Sequence, residues 1–165
     1  MIEHSTEAKL AALAAQVGQR LLALGLMVAP AESCTGGWVA KTLTDVAGSS
    51  AWLDRGFVTY SNAAKVEMLG VSAETLDAHG AVSEAVVREM VRGALQHSCA
   101  QVAVAISGIA GPGGGTADKA VGTVWLAWGR EGSEPVARRR HFAGDREQVR
   151  AQSVEAALDG LLALL

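Results

Sequence analysis

The stretch that decides the fold is Gln101-Val102-Ala103-Val104-Ala105-Ile106, followed at once by Ser107-Gly108-Ile109-Ala110-Gly111-Pro112-Gly113-Gly114-Gly115. A short, continuous apolar run of β-branched and small residues predicts a strand buried on both faces, hence a central strand between helical layers. Five glycines in the nine residues from Ser107 to Gly115 cost entropy on folding, so the loop is expected to lie close to other backbone or to a ligand. The loop fits neither the dinucleotide fingerprint, since Thr116 stands where a glycine would be needed, nor a P-loop, since no Gly-Lys pair follows.

Outward from this strand, helices alternate with strands. Leu10, Leu13, Ala14, Val17, Leu21 and Leu24 step by three and four, predicting an amphipathic helix that starts near Ser5 or Thr6 and stops at Gly25. Leu26–Ala29 reads as a short buried strand ending at Pro30, and a second helix runs to about Val46. Gly56–Tyr60 reads as a strand, and Ser61-Asn62, Ser72 and Ser83 cap three further helices. Val121–Trp128 and Val136–Phe142 predict a hairpin, and Asp145 with Gln148 three residues later opens the last helix with a capping-box spacing. No linker or break in composition interrupts residues 1–165. The expected architecture is one α/β domain, a three-layer α/β/α sandwich over a mixed β-sheet.

Composition narrows the function. The chain has 165 residues, half of them hydrophobic, and 19 glycines, or about 11.5% (19/165) against a usual ~7%. A net charge of −3 speaks against a nucleic-acid or anionic-membrane partner. Cys34 and Cys99 are too few for a disulfide framework, and His4, His79, His97 and His141 are scattered, so no metal site is expected. No signal peptide and no apolar run long enough for a membrane span are visible, which predicts a cytoplasmic protein.

Three segments place polar or glycine-rich residues where a strand gives way to a helix, the place where open α/β sheets hold ligands. In Glu32-Ser33-Cys34-Thr35-Gly36-Gly37, small residues let backbone N–H groups approach a phosphate or carboxylate, although an ordinary cap with a tight turn reads equally well. The loop from Ser107 is the second. The third is Gly48-Ser49-Ser50, with Tyr60 and Lys65 beyond it. No nucleophile elbow is present, and no histidine stands beside a serine, so a serine here would need a lysine as its base. Of the four lysines, Lys65 lies one turn into a helix near the presumed ligand edge; the alternative is that Ser49 or Ser50 caps a turn and Lys65 is solvated. Arg138-Arg139-Arg140 reads as edge protection, Trp38, Trp52, Trp125 and Trp128 as core or subunit-interface residues, and Arg146 as a surface group or a contact for an anionic ligand.

Taken in order, Ala31–Gly37, Gly48-Ser49-Ser50-Ala51-Trp52, Gly56–Lys65, Gly80-Ala81-Val82-Ser83, Ile106–Gly114 and Val121-Gly122-Thr123-Val124 resemble the CinA C-terminal-domain family of bacterial nicotinamide-nucleotide amidases. The resemblance implies hydrolysis of the carboxamide of nicotinamide mononucleotide to nicotinate mononucleotide and ammonia, in pyridine-nucleotide recycling. It implies a serine–lysine pair at Ser50 and Lys65 with Tyr60 assisting, and an oxyanion hole around Gly48–Ser50. It also implies substrate contacts from Ser33, Thr35, Gly36, Ser107, Gly108, Gly111 and Arg146, and no metal or organic cofactor. A homodimer is expected, with a small-molecule nucleotide as the only other partner. A non-catalytic nucleotide-binding or partner-docking module built on the same loops is the alternative. A nicotinamide-dependent redox protein is disfavoured by the missing fingerprint. Contact between Ser50 and Lys65 within hydrogen-bond reach is what separates enzyme from binding module.

Overall fold

The computed structural model describes residues 2–165, with side chains from His4 onward. Six helices and five strands alternate: α1 (Ile2–Leu24), β1 (Val28–Glu32), α2 (Trp38–Thr44), a 3-10 turn at Ser49–Ala51, β2 (Phe57–Val58), α3 (Asn62–Leu69), α4 (Ala73–His79), α5 (Glu84–Gln96), β3 (Val102–Gly108), β4 (Thr123–Arg130), β5 (Val136–His141) and α6 (Arg146–Leu164). The sheet order is β2-β1-β3-β4-β5, with β2, β1 and β3 parallel and β4 and β5 antiparallel to their neighbours. This is the mixed sheet between two helical layers that the sequence predicts.

The central strands sort their side chains by size. Val102, Val104 and Ile106 of β3 and Val124, Leu126 and Trp128 of β4 face one core, shared with α1, α2 and α6. The alternate residues Ala103, Ala105 and Ala127 face the other core, under α5. Small residues on that face let α5 come close: a Cβ added at Gly129 would fall on Val91 of α5, and one added at Gly93 of α5 would fall on the Leu69 carbonyl of α3. α3 is therefore pinned to the sheet through α5. Its ends are fixed locally, by the Ser61 hydroxyl accepting from Ala64 N and by Gly70 in the left-handed conformation.

β1 differs from its sequence expectation. It runs Val28–Glu32 and includes Pro30, although it lies between β2 and β3. The reason is parity. Ser33 N–H bonds Ile106 on the β3 side, whereas Val28 N–H bonds Trp52 O and Glu32 O accepts from Thr59 N–H on the β2 side. Even-numbered positions therefore face β2, and β2 pairs only with Ala31 and Glu32. Pro30 lacks its N–H where no ladder partner stands, so the strand continues through it.

β5 is an edge strand, in keeping with its three successive arginines. Trp52 and Trp128 are buried and Trp38 and Trp125 half-buried, each packed in or against one of the two cores. The Asp145–Gln148 capping box forms in both directions at the start of α6. Among the described residues no helix is long and apolar enough to cross a membrane.

Candidate functional site

The carboxyl ends of β1 and β3 converge where the chain leaves the sheet, at Ser33 and at Ser107-Gly108. Ser33 is held by its N–H to Ile106 O (3.0 Å) and by accepting Gly36 N–H at its carbonyl (3.1 Å). Glu32 anchors the loop from the other side. Its buried carboxylate accepts Val39 N–H at 2.8 Å and Ala40 N–H at 3.0 Å, capping α2, whose own N-cap Gly37 has no side chain to offer. The loop between these anchors can turn tightly because Gly36 and Gly37 both adopt positive φ.

Lys65 projects from the first turns of α3 into this corner and is 1% exposed. Its Nζ lies 3.0 Å from Ser33 Oγ, 2.8 Å from Thr59 O and 3.4 Å from Tyr60 O. No carboxylate bonds it among the described residues. Burial pushes the Lys65 ammonium below the ordinary lysine value, with the neighbouring Cys34 thiol a lesser, opposing influence. The Lys65 nitrogen donates to the Ser33 hydroxyl and to the Thr59 and Tyr60 carbonyls, so its three hydrogen-bond neighbours are all uncharged oxygens. A hydroxyl beside a buried amine is a pairing whose chemistry can serve as nucleophile and general base. Cys34, also at the pocket, is not the nucleophile this environment favours, because burial pushes its thiol up to about 11 and keeps it protonated.

The pocket above this pair has a volume of about 250 Å³ and is walled by Ser33, Cys34, Tyr60, Asn62, Lys65, Ala81, Val82, Ser107, Gly108, Ala110 and Arg146. At its mouth Arg146, from the start of α6, donates to Gly111 O (2.8 Å) and to the Tyr60 hydroxyl (3.0 Å). Tyr60 and Arg146 are both exposed there, so they meet whatever enters. A larger groove of about 710 Å³ lies between β5 and α6, but its walls include no serine, cysteine or lysine. Among the described residues no group of three or more His, Cys, Asp or Glu is placed to hold a metal ion.

Several expected residues thus meet: Ser33, Tyr60, Lys65, Ser107, Gly108 and Arg146. Thr35, Gly36 and Gly111 are not among the residues that wall the pocket; Gly111 is tied to it through the carbonyl that accepts from Arg146. Ser50 does not belong to this site. Its 3-10 turn leads to Trp52 and Leu53, which bond or bridge to Val28 at the amino end of β1. Ser33 lies five residues further along, past the carboxyl end, at ~3.3 Å per residue or about 16 Å away. The expected Ser50–Lys65 contact and the oxyanion hole at Gly48–Ser50 are corrected accordingly: the serine in contact with Lys65 is Ser33. Asn62, Ala81, Val82 and Ala110 complete the wall, each from within a motif quoted above.

Residues 10–165 match the family model of the CinA C-terminal domain. The chain belongs to that family. It is 58% identical over 156 residues to the nicotinamide-nucleotide amidohydrolase PncC of Escherichia coli (strain K12), covering 94% of each chain. It is 56% identical over 152 residues to the protein of the same name from Pseudomonas putida, covering 92% of this chain and 94% of the other. Among solved structures, the competence/damage inducible protein CihA from Agrobacterium tumefaciens superposes with a TM-score of 0.92 at 48% identity, over 94% of this chain and 95% of that one. The α/β/α architecture of this CinA-family domain is thus the one its solved relative adopts.

Proposed function

We propose that the protein hydrolyses the carboxamide of a nicotinamide nucleotide, nicotinamide mononucleotide first among them, with Ser33 as nucleophile and Lys65 as its base. The observation that carries this reading is the 3.0 Å contact between Ser33 Oγ and a buried lysine that no carboxylate neutralises. Burying an amine this way opposes stability and serves a binding module poorly, whereas it favours the uncharged amine that a hydrolase needs in a base. The relatives named for nicotinamide-nucleotide amidohydrolysis supply the substrate.

In the reaction, neutral Lys65 takes the Ser33 proton as Oγ attacks the carboxamide carbon. The resulting oxyanion is stabilised by backbone N–H groups of the loop after Ser33. Lys65, now an ammonium, returns the proton to the departing nitrogen, and ammonia leaves. The ester on Ser33 is then hydrolysed by water with Lys65 again as base, releasing the nicotinate nucleotide. Thr59 O and Tyr60 O hold the Lys65 nitrogen in place through both steps. Arg146 at the mouth supplies the cation for the nucleotide phosphate, exchanging its bonds to Gly111 O and Tyr60 for the substrate. Such an activity returns nicotinamide nucleotide to NAD synthesis in the cytoplasm and needs no further cofactor.

The test is ammonia release across nicotinamide mononucleotide, NAD, nicotinamide and asparagine. Free nicotinamide is expected to be far poorer than its nucleotide, since remote phosphate contacts hold the amide in position. Equal rates on the two would contradict the reading.

A further inference from the structure

Two arginines of α6, one turn apart, flank the site. Arg146 faces the pocket mouth, but Arg150 works from behind. Its Nε donates to Cys34 O (3.0 Å) and its Nη2 to Thr35 O (3.2 Å). The guanidinium carbon sits 5.5 Å from the centre of the Trp38 ring, a cation–π distance that holds the fork in place.

A trans peptide points its C=O and N–H in opposite directions. With the Cys34 carbonyl drawn toward α6, the Thr35 N–H is turned away from α6, toward the layer that carries α3 and Lys65. That N–H donates to no acceptor among the described residues. Arg150 thereby fixes the orientation of the peptide group one residue beyond Ser33. We infer that Arg150 is a positioning residue for the reaction, whose grip on two carbonyls presents the Thr35 N–H to the oxyanion formed on Ser33. The inference rests on the reading of Ser33 as nucleophile. A lysine could not replace Arg150, because its single nitrogen cannot reproduce the planar fork that reaches the two carbonyls from separate nitrogens while stacking on Trp38.

The test is steady-state ammonia release from nicotinamide mononucleotide by Arg150→Ala, Arg150→Lys and Ser33→Ala. The oxyanion forms only in the transition state, so the loss falls on kcat. Arg150→Ala is expected to lower kcat by roughly 10- to 100-fold while KM moves less than about threefold. Arg150→Lys keeps a cation over Trp38 for folding yet should recover little of kcat. Unchanged kcat in Arg150→Ala, a loss confined to KM, or full kcat in Arg150→Lys would each overturn the inference. If Ser33→Ala is inactive while Arg150→Ala keeps its kcat, only the positioning role falls. If Ser33→Ala turns over normally, the nucleophile falls and takes the positioning role with it.

Discussion

Replacing Glu32 by Gln isolates how the fold holds Ser33. The carboxylate accepts one backbone N–H on each oxygen, Val39 at 2.8 Å and Ala40 at 3.0 Å, and is 1% exposed. A glutamine keeps one acceptor and turns an NH₂ toward the second N–H, so one charge-assisted bond worth about 1.5–3 kcal/mol is lost. Removing the negative charge from the α2 terminus costs about a further 0.3–1 kcal/mol. Relief of the desolvation borne by the buried carboxylate offsets part of this, leaving a loss of about 2–3 kcal/mol. For a domain of this size each kcal/mol moves Tm by about 2–4 °C, so a fall of about 5–10 °C is expected. The assay is urea unfolding and thermal melting of both proteins, with kcat measured on the folded variant. The m-value should stay unchanged, and kcat should drop at least about tenfold because Ser33 directly follows the displaced residue. A stability loss under about 0.5 kcal/mol would refute the reasoning, and so would a destabilised variant with undiminished kcat.

Lys65 is expected to leave a signature in pH. Because burial lowers its folded-state pKa, the unfolded chain binds more protons between that value and the ordinary ~10.4, so stability contributed by this group rises with pH across that window and its cost is complete below it. Unfolding free energies of wild type and Lys65→Met at several pH values should therefore diverge in favour of wild type as pH rises; parallel curves would contradict a lowered pKa. The kcat/KM of wild type should rise along a limb below ~10.4, and Lys65→Arg should be nearly inactive because a guanidinium keeps its proton. Gly93→Ala places a methyl against the Leu69 carbonyl, so unfolding measurements should show about 2–3 kcal/mol lost and kcat reduced as α3 and Lys65 are pushed outward; a neutral result would show that α5 and α3 slide freely.

Much of the fold is legible in the sequence for reasons the structure makes plain. β3 announces itself because both its faces are buried, and Asp145 and Gln148 announce α6 because each satisfies the other's backbone. β1 is misjudged by its proline, since only the order of strands shows that Pro30 faces a gap in the β2 ladder. The same limit governs the site. Ser33, Tyr60, Lys65, Ser107 and Arg146 can be singled out as polar residues at strand ends, but Ser33 and Ser50 look alike as small hydroxylic residues beside glycines. What separates them is the end of β1 each one occupies. That depends on the bridge of Leu53 to Val28, a pairing across 25 residues (53 − 28) that no local pattern reports. Arg150 is hidden for a similar reason, being 116 positions from the carbonyl it grips.

The most direct test of the account is ammonia release from nicotinamide mononucleotide by Ser33→Ala and Ser50→Ala side by side, with thermal melting to show that both are folded. With the hydroxyl gone from the Lys65 pair, Ser33→Ala should lose at least about 10³-fold in kcat, whereas Ser50→Ala, at the far end of β1, should stay within about twofold of wild type. A folded Ser33→Ala protein that turns over at the wild-type rate, or a Ser50→Ala protein that does not turn over at all, would contradict it.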